Sequence, residues 1–304
     1  EQIMNAGDIR WSLPKLVYHL EDLRVGMSYP NYYTARLASK FVKVCLQGTG
    51  GDELFGGYPW RYYKVFDSLS KEDFFEQYYQ FWQRLVPENE KENLFQKQVI
   101  NQIDLDAPRK IFERVFKFNN RLNYETPQDH INNSLYFETK TFLSSLFLVG
   151  DKLSMAHGLE ERFPFMDNDL VDFAMQVPVE HKLGNLEKEI NEIDENKESK
   201  KKLYREYNDG KNVLRKAMSD YIPKKIIERK KQGFSAPDES WYRGENASYI
   251  REFLLESETL STKYIRKEFI EKVVNEHLEK GKNHRLLIWS ILNFEWWCRI
   301  FLKN

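Results

Sequence analysis

The sequence predicts an α/β opening that passes into a mostly α-helical body, and three observations carry that expectation. The first is the apolar run Phe41-Val42-Lys43-Val44-Cys45-Leu46, which ends in glycines. Such a run reads as a buried parallel strand delivering a tight loop at its carboxyl end, where open α/β sheets bind ligands. The second is the recurrence of Phe74, Phe75, Tyr78, Tyr79 and Trp82 at helical spacing. The third is the stretch from Arg285 to Phe301, apolar almost all round, which reads as a helix buried in a core.

Taken in order, Tyr32 to Lys40 fits a short helix leading into the strand at 41–46. A lone strand cannot bury both faces, so partner strands are needed, and no comparable buried strand is legible later. The α/β part is therefore expected at 1–60 as the end of a nucleotide-binding unit, with 61–304 helical. The aromatic stripe at 74–82 reads as helix–helix core and ends at Pro87. Residues 128–148 and 168–177 read as further helices, the second stopped by Pro178. Glu187 to Lys202 holds 11 charged residues of both signs in 16, which suits a solvated helix or an insertion better than a binding patch. Asp238 to Glu256 and Thr262 to Gly281 read as amphipathic helices before the final apolar one.

With 304 residues and a net charge of −1, the chain can fill a core but gives no global electrostatic case for nucleic acid or an anionic membrane. No stretch reaches the roughly 20 apolar residues of a membrane span. Glu1 to Asn5 does not resemble a signal peptide. Cys45 and Cys298, far apart in a strand and an apolar helix, read as structural thiols in a reducing compartment, with the cytoplasm as the default.

Four stretches carry chemistry. Residues 48–58 read GTGGDELFGGY, in which Gly48, Gly50, Gly51, Gly56 and Gly57 let backbone N–H groups approach an anion. Asp52 and Glu53 would repel a phosphate unless Mg²⁺ stood between them. The loop thus suggests a metal–phosphate site; the plain alternative is a strand-to-helix turn with Asp52 as helix cap. Residues 150–167, GDKLSMAHGLEERFPFMD, crowd Asp151, Lys152, Glu160, Glu161, Arg162 and Asp167 beside apolar residues, either as pocket lining or as a structural ion network. Residues 210–218, GKNVLRKAM, put Lys211 in a helix's first turn, where a cation is unfavourable unless an anion or solvent meets it. Residues 229–237, RKKQGFSAP, form a basic loop able to hold a phosphate or carboxylate.

In this order the four stretches resemble the carboxyl-terminal synthetase domain of glutamine-hydrolysing asparagine synthetases: the glycine–Asp–Glu loop, the D-K-x-S-M-A-x-x-x-E-x-R-x-P-F-x-D block, G-K-x-x-L-R, and R-x-K-x-G-F-x-x-P. The resemblance covers most of the chain and is weakest at 85–125 and 185–208. It implies the end of an adenine-nucleotide alpha-hydrolase-like parallel-sheet domain followed by a helical subdomain. It also implies ATP and Mg²⁺, adenylation of the aspartate side chain, and displacement of AMP by glutamine-derived ammonia. By resemblance Asp52 binds Mg²⁺, and Gly48, Gly50 and Gly51 cradle the nucleotide. Lys211 neutralises charge on the reacting phosphates. Glu160 stands where related β-lactam synthetases keep the acidic member of a catalytic dyad, and Arg162, Arg229 and Lys231 anchor substrate or phosphate.

Two departures shape the expectation. The family's Ser-Gly-Gly-x-Asp-Ser pyrophosphate loop and its amino-terminal glutaminase domain are not in these 304 residues. The expected partners are therefore those segments, in the same or a partner chain, and this stretch alone is expected to be inactive. Thr49 stands where asparagine synthetases carry Asp or Glu and lactam-forming relatives can carry Tyr. A threonine hydroxyl cannot act as a carboxylate base, so another acceptor carboxylate is the alternative. A related amidotransferase or cyclase, or a non-catalytic module, are the rival readings, and a homo-oligomer is compatible with each.

Overall fold

The computed structural model describes residues 1–23, 28–184, 186, 209–231 and 238–302. The charged stretch from Glu187 to Lys202 and the Gly-Phe-x-x-Pro half of the basic loop lie outside the described residues.

Helix α1 (Asp8–Leu20) buries Ile9, Leu13, Leu16, Val17 and Leu20, while α2 (Tyr29–Ala38) buries Tyr29, Tyr32 and Tyr33. These side chains share one core with Tyr249 and Ile250 of α14 (Ala247–Arg251), with the inner faces of α15 (Lys267–Leu278), and with α16 (Arg285–Trp297). Trp289, 1% exposed, is among its largest members. This largest core cluster thus draws residues from both sides of the expected division at 60/61. The terminal apolar stretch forms α16 and a following π turn, Cys298–Leu302. Its one acidic residue, Glu295, is fully buried because its carboxylate accepts from the N–H groups of Leu260 and Ser261 and from Arg299.

The strand is parallel, as expected, but short and open. Strand β1 (Val44–Leu46) pairs with β2 (Glu160–Arg162) in the register Val44–Glu160, Cys45–Glu161 and Leu46–Arg162. The expected buried strand over 41–46 is corrected in two respects. Only three residues are in the ladder, and Phe41 and Leu46 are 78% and 73% exposed. The apolar run has no covering layer on it among the described residues. The partner strand also exists later in the chain, contrary to expectation. It was illegible because its three residues are Glu, Glu and Arg, which carry no apolar signal.

The aromatic stripe forms α5 (Lys71–Trp82), whose N-cap Ser70 accepts from the Asp73 N–H. Its Phe74, Tyr78 and Tyr79 pack with Phe112 and Phe116 of α6 (Ala107–Lys117) and Phe137 of α7 (Pro127–Lys140). The stripe is core. The helix expected over 128–148 is two, α7 and α8 (Phe142–Met155), parted at Thr141, whose φ −118° and ψ −66° break the regular turn. A reciprocal capping box between Thr126 and Asp129 starts α7. Helix α9 (Asn168–Gln176) is capped by Asp167 and stops before Pro178, as expected, and α10 is Val179–Lys182. Short helices among the described residues include α4 (Pro59–Tyr63), α11 (Asn212–Ala217), α12 (Lys224–Ile227) and α13 (Asp238–Arg243). Cys45 and Cys298 are both free thiols. No helix among the described residues is long and apolar enough to cross a membrane.

Candidate active site

The loop after β1 runs into α3 (Gly51–Phe55), so its glycines and carboxylates sit at the carboxyl end of the strand. The helix cap is Gly50, with φ 100°, and not Asp52, which lies in the first turn with its side chain turned elsewhere. Leu54 and Phe55 anchor α3 on Ala174 of α9, and partly buried Phe165, Met166, Val213 and Leu214 pack around them. That packing brings α11 alongside α3.

The contact between the two segments is at backbone distance. The Lys211 N–H donates to the Phe55 carbonyl at 3.0 Å. A Cβ on Gly210 would fall 2.1 Å from the Gly56 carbonyl oxygen, so only glycine allows this approach. Tyr63 bonds the Asp209 carboxylate, and Asp209 accepts from the Gly184 N–H at 2.9 Å. Arg215 then clasps two carbonyls, those of Gly210 and Ile227, which fixes the chain four residues before Lys231.

The result is a trio. Asp52 takes the Lys211 ammonium on Oδ1 at 2.8 Å and the Lys231 ammonium on Oδ2 at 2.7 Å. All three side chains are largely buried, between 18% and 27% exposed. Gly57 belongs to the same construction, since a Cβ there would lie 1.8 Å from Asp52 Oδ1. Burial alone would raise the Asp52 pKa, but Lys231 and Lys211 outweigh it and hold the carboxyl below its usual value. Burial pulls the Lys231 ammonium below its usual value, and Asp52 offsets that only in part. Both shifts are downward: the two ammonium groups favour the Asp52 carboxylate, burial disfavours the Lys231 ammonium, and one carboxylate serving two ammonium groups leaves the trio a surplus positive charge away from water. Such a site suits an anion.

Glu53, 1% exposed, is pushed upward by burial and by the neighbouring Asp52. Its Oε1 lies 3.1 Å from the Tyr58 hydroxyl. The Tyr58 ring carries the Arg61 guanidinium 3.9 Å and the Lys231 ammonium 4.8 Å from its centroid. Arg61 pairs with fully buried Glu138 at 3.4 Å, and Glu138 also takes the hydroxyls of Tyr62 and Tyr78. Sequence reasoning missed Arg61 and Glu138. The signal was a lone cation inside the apolar run Pro59-Trp60-Arg61-Tyr62-Tyr63, which calls for a buried counter-charge.

Of the residues expected at the site, Asp52, Lys211 and Lys231 are brought together. Lys211 itself is the helix N-cap and not a first-turn residue, in the left-handed conformation at φ 60°. Gly51 packs on the Phe165 ring, and Gly48 has no atom within 4 Å of a built Cβ. Thr49 is half-buried in the loop. Glu160 and Arg162 pair with each other at 2.8 Å in an exposed contact on β2, in a different group from the trio. Arg229 is exposed. Beside them the structure adds Glu161, which accepts from the Gln47 amide at 2.8 Å and whose pKa burial raises. This pair ties the residue just before Gly48 to the partner strand.

Magnesium accepts one or two protein carboxylates when phosphate oxygens complete its shell. Asp52 supplies one such carboxylate, and no three His, Cys, Asp or Glu converge as a ligand cage among the described residues. Both Asp52 oxygens meet ammonium groups, so an ion at this carboxylate would have to displace a lysine, whose charge phosphates arriving with the ion could then take over.

A family model described as asparagine synthase matches residues 1–299. The chain is 28% identical over 329 residues to the Bacillus subtilis protein named asparagine synthetase [glutamine-hydrolyzing] 1, covering 100% of this chain and 48% of that protein. It is 27% identical over 231 residues to the protein named asparagine synthetase [glutamine-hydrolyzing] 3 of the same organism, covering 72% and 32% respectively. A match to the Penicillium rubens protein named amidase chyE is 24% identical over 164 residues, covering 52% and 22%. The chain thus spans about half or less of the length of these relatives. With the glycine–Asp–Glu loop, the two lysines on Asp52 and a family match over nearly all 304 residues, the chain belongs to the asparagine synthase family.

Proposed function

We propose that this chain is the synthetase part of an ATP-dependent amide ligase that adenylates a carboxylate, with aspartate the first expectation, and joins ammonia from glutamine to it. The observation that carries the reading is the Asp52–Lys211–Lys231 trio at the carboxyl end of β1. Its surplus positive charge suits the phosphates of ATP. In this reading Lys211 and Lys231 stabilise charge that builds on the phosphates as the carboxylate attacks, the kind of fixed electrostatic help that often dominates catalysis. Gly48, Gly50 and Gly51 offer backbone N–H groups to the nucleotide, and Arg229 offers a further cation. Asp52 would hold Mg²⁺, which supplies charge neutralisation between phosphate oxygens when bound. Thr49 and Arg162 would face the acceptor carboxylate, and Glu160 would handle protons of the incoming amine after leaving Arg162. The open faces of β1 support a partner segment carrying further strands and the pyrophosphate loop.

The test is carboxylate-dependent ATP–pyrophosphate exchange by the longer polypeptide that contains this chain, offered aspartate and a panel of other carboxylates. Exchange with aspartate that Lys211→Met abolishes supports the reading. Thr49 favours a second reading, a related amidotransferase or cyclase, and exchange with another carboxylate only would select it. No exchange with any carboxylate leaves the non-catalytic module.

A further inference from the structure

Two of the holds on Lys231 differ in kind. One is the Asp52 carboxylate at 2.7 Å, a ligand that a nucleotide-bound cation would compete for. The other is the Tyr58 ring, whose centroid lies 4.8 Å from the ammonium. A ring face attracts a cation through its quadrupole and has no lone pair to lend to a metal. It cannot be drawn away in the same exchange. The ring is itself held in place. Arg61 packs on it at 3.9 Å while bound to buried Glu138, and the Tyr58 hydroxyl reaches Glu53.

We infer that Tyr58 is a positioning residue for Lys231: its ring keeps the ammonium in place when Asp52 turns to another cation, and the buried Arg61–Glu138 pair keeps the ring in place. The inference deepens the nucleotide-site reading of the trio and rests on it. The geometry explains how one carboxylate can serve two lysines and still be released. Lys211 is held by its backbone, through the Phe55 carbonyl, whereas Lys231 ends a long clasp through Arg215 and needs a second support at its tip.

The experiment reads the acylation rate of Lys231 by mass spectrometry of its peptide, at one pH, in the longer polypeptide carrying Asp52→Asn so that the carboxylate hold is gone. Tyr58 is then replaced by Phe, by Leu, or by pentafluorophenylalanine, which keeps the size of Phe and inverts the ring quadrupole. With Phe, Lys231 stays as protected as with Tyr. With Leu or the fluorinated ring it reacts about 5- to 30-fold faster, the range expected for a desolvated cation–π contact. Should Leu unfold the protein by circular dichroism, the fluorinated ring, which fills the same space, decides. Equal rates for Phe and the fluorinated ring overturn the inference. A separate arm tests the reading beneath it: in the protein with Asp52 intact, magnesium ATP must slow acylation of Lys211 and Lys231, and no protection removes the nucleotide site whatever the Tyr58 series gives.

Discussion

Lys211 adopts φ 60° and ψ 30°, a conformation that costs a non-glycine residue about 1–2 kcal/mol. The strain places its ammonium on Asp52, so strain and charge can be separated by substitution. In the longer polypeptide, Lys211→Met keeps the strain and loses the charge, whereas Lys211→Gly loses both. Both should lower ATP–pyrophosphate exchange by about 10²–10³, as for loss of a fixed electrostatic donor. The Gly protein should be the more stable of the two by about 1 kcal/mol in chemical denaturation. Equal exchange in the parent and both variants would remove Lys211 from the chemistry. Asp52 gives a pH signature. Its folded pKa is depressed, so its stabilisation is fully present above the ordinary unfolded value near 3.9 and lost as pH falls through the lower folded value. The stability gap between the parent and Asp52→Asn should be flat from pH 8 to 5 and close only below about pH 4. A gap that closes between pH 7 and 5 would mean the carboxyl is not held by two cations. At this scale the sequence was legible where a motif names a residue. Asp52 and the two lysines stand 159 and 179 positions apart, and no periodicity joins them. The resemblance alone put them in one site, and it said nothing of Arg61 or Glu138.

Helix α15 ends in a polar knot. His277, fully buried, accepts the His284 N–H on Nδ1 at 3.0 Å, so its proton sits on Nε2. Arg243 caps the same turn, donating to the carbonyls of His277, Gly281 and Lys282. Burial and then the nearby Arg243 push the His277 pKa down to about 4. The sign follows from linkage. Above its unfolded value near 6.5 the group is neutral in both states. As pH falls from 6.5 towards 4 the unfolded chain takes a proton that the fold refuses, and stability is lost. Protonation would also put a hydrogen on Nδ1, against the His284 N–H. Thermal midpoints at pH 7.5 and 5 should therefore fall more for the parent than for His277→Gln. A parallel fall would show that His277 does not titrate in this window. The sequence made elements legible where apolar residues keep a helical period, as at Phe74 to Trp82. It failed at β2, whose Glu-Glu-Arg has no apolar residue to mark a strand, and at Thr141, where one residue's dihedrals divide an otherwise continuous pattern.

At the scale of the molecule, the two-stranded sheet is sparsely covered among the described residues. Parallel sheets are ordinarily covered on both faces, and a lone pair of strands is marginal in water. Here Phe41, Val42 and Leu46 face solvent. Leu46→Lys should leave the thermal midpoint of this 304-residue stretch unchanged, because a 73% exposed side chain buries little. In the longer polypeptide the same change should cost on the order of 2 kcal/mol or more if further strands cover the position, since it would bury a charge. An equal effect in both would end the reading of this edge as an internal face. A mostly helical protein with a small parallel pairing was legible in outline, while the sharing of a core between α1 and α16 was not, because hydrophobic periodicity shows which face is buried and never against what.

That shared core has a consequence for the order in which the molecule can be made. Leu13, Leu16 and Val17 of α1 are covered by Ile288, Leu292 and their neighbours, with Tyr249 and Ile250 beside them. Those partners are synthesised roughly 220 or more residues after α1, a delay of about 10–45 s at ribosomal rates of ~5–20 residues per second. During that interval the apolar face of α1 has only part of its native core to pack on, the tyrosines of α2 and Leu153 of α8. The aromatic unit of α5, α6 and α7, by contrast, closes within its own stretch of chain. Synthesis thus closes the aromatic unit of α5 to α7 before the core shared by α1 and α16 can be completed.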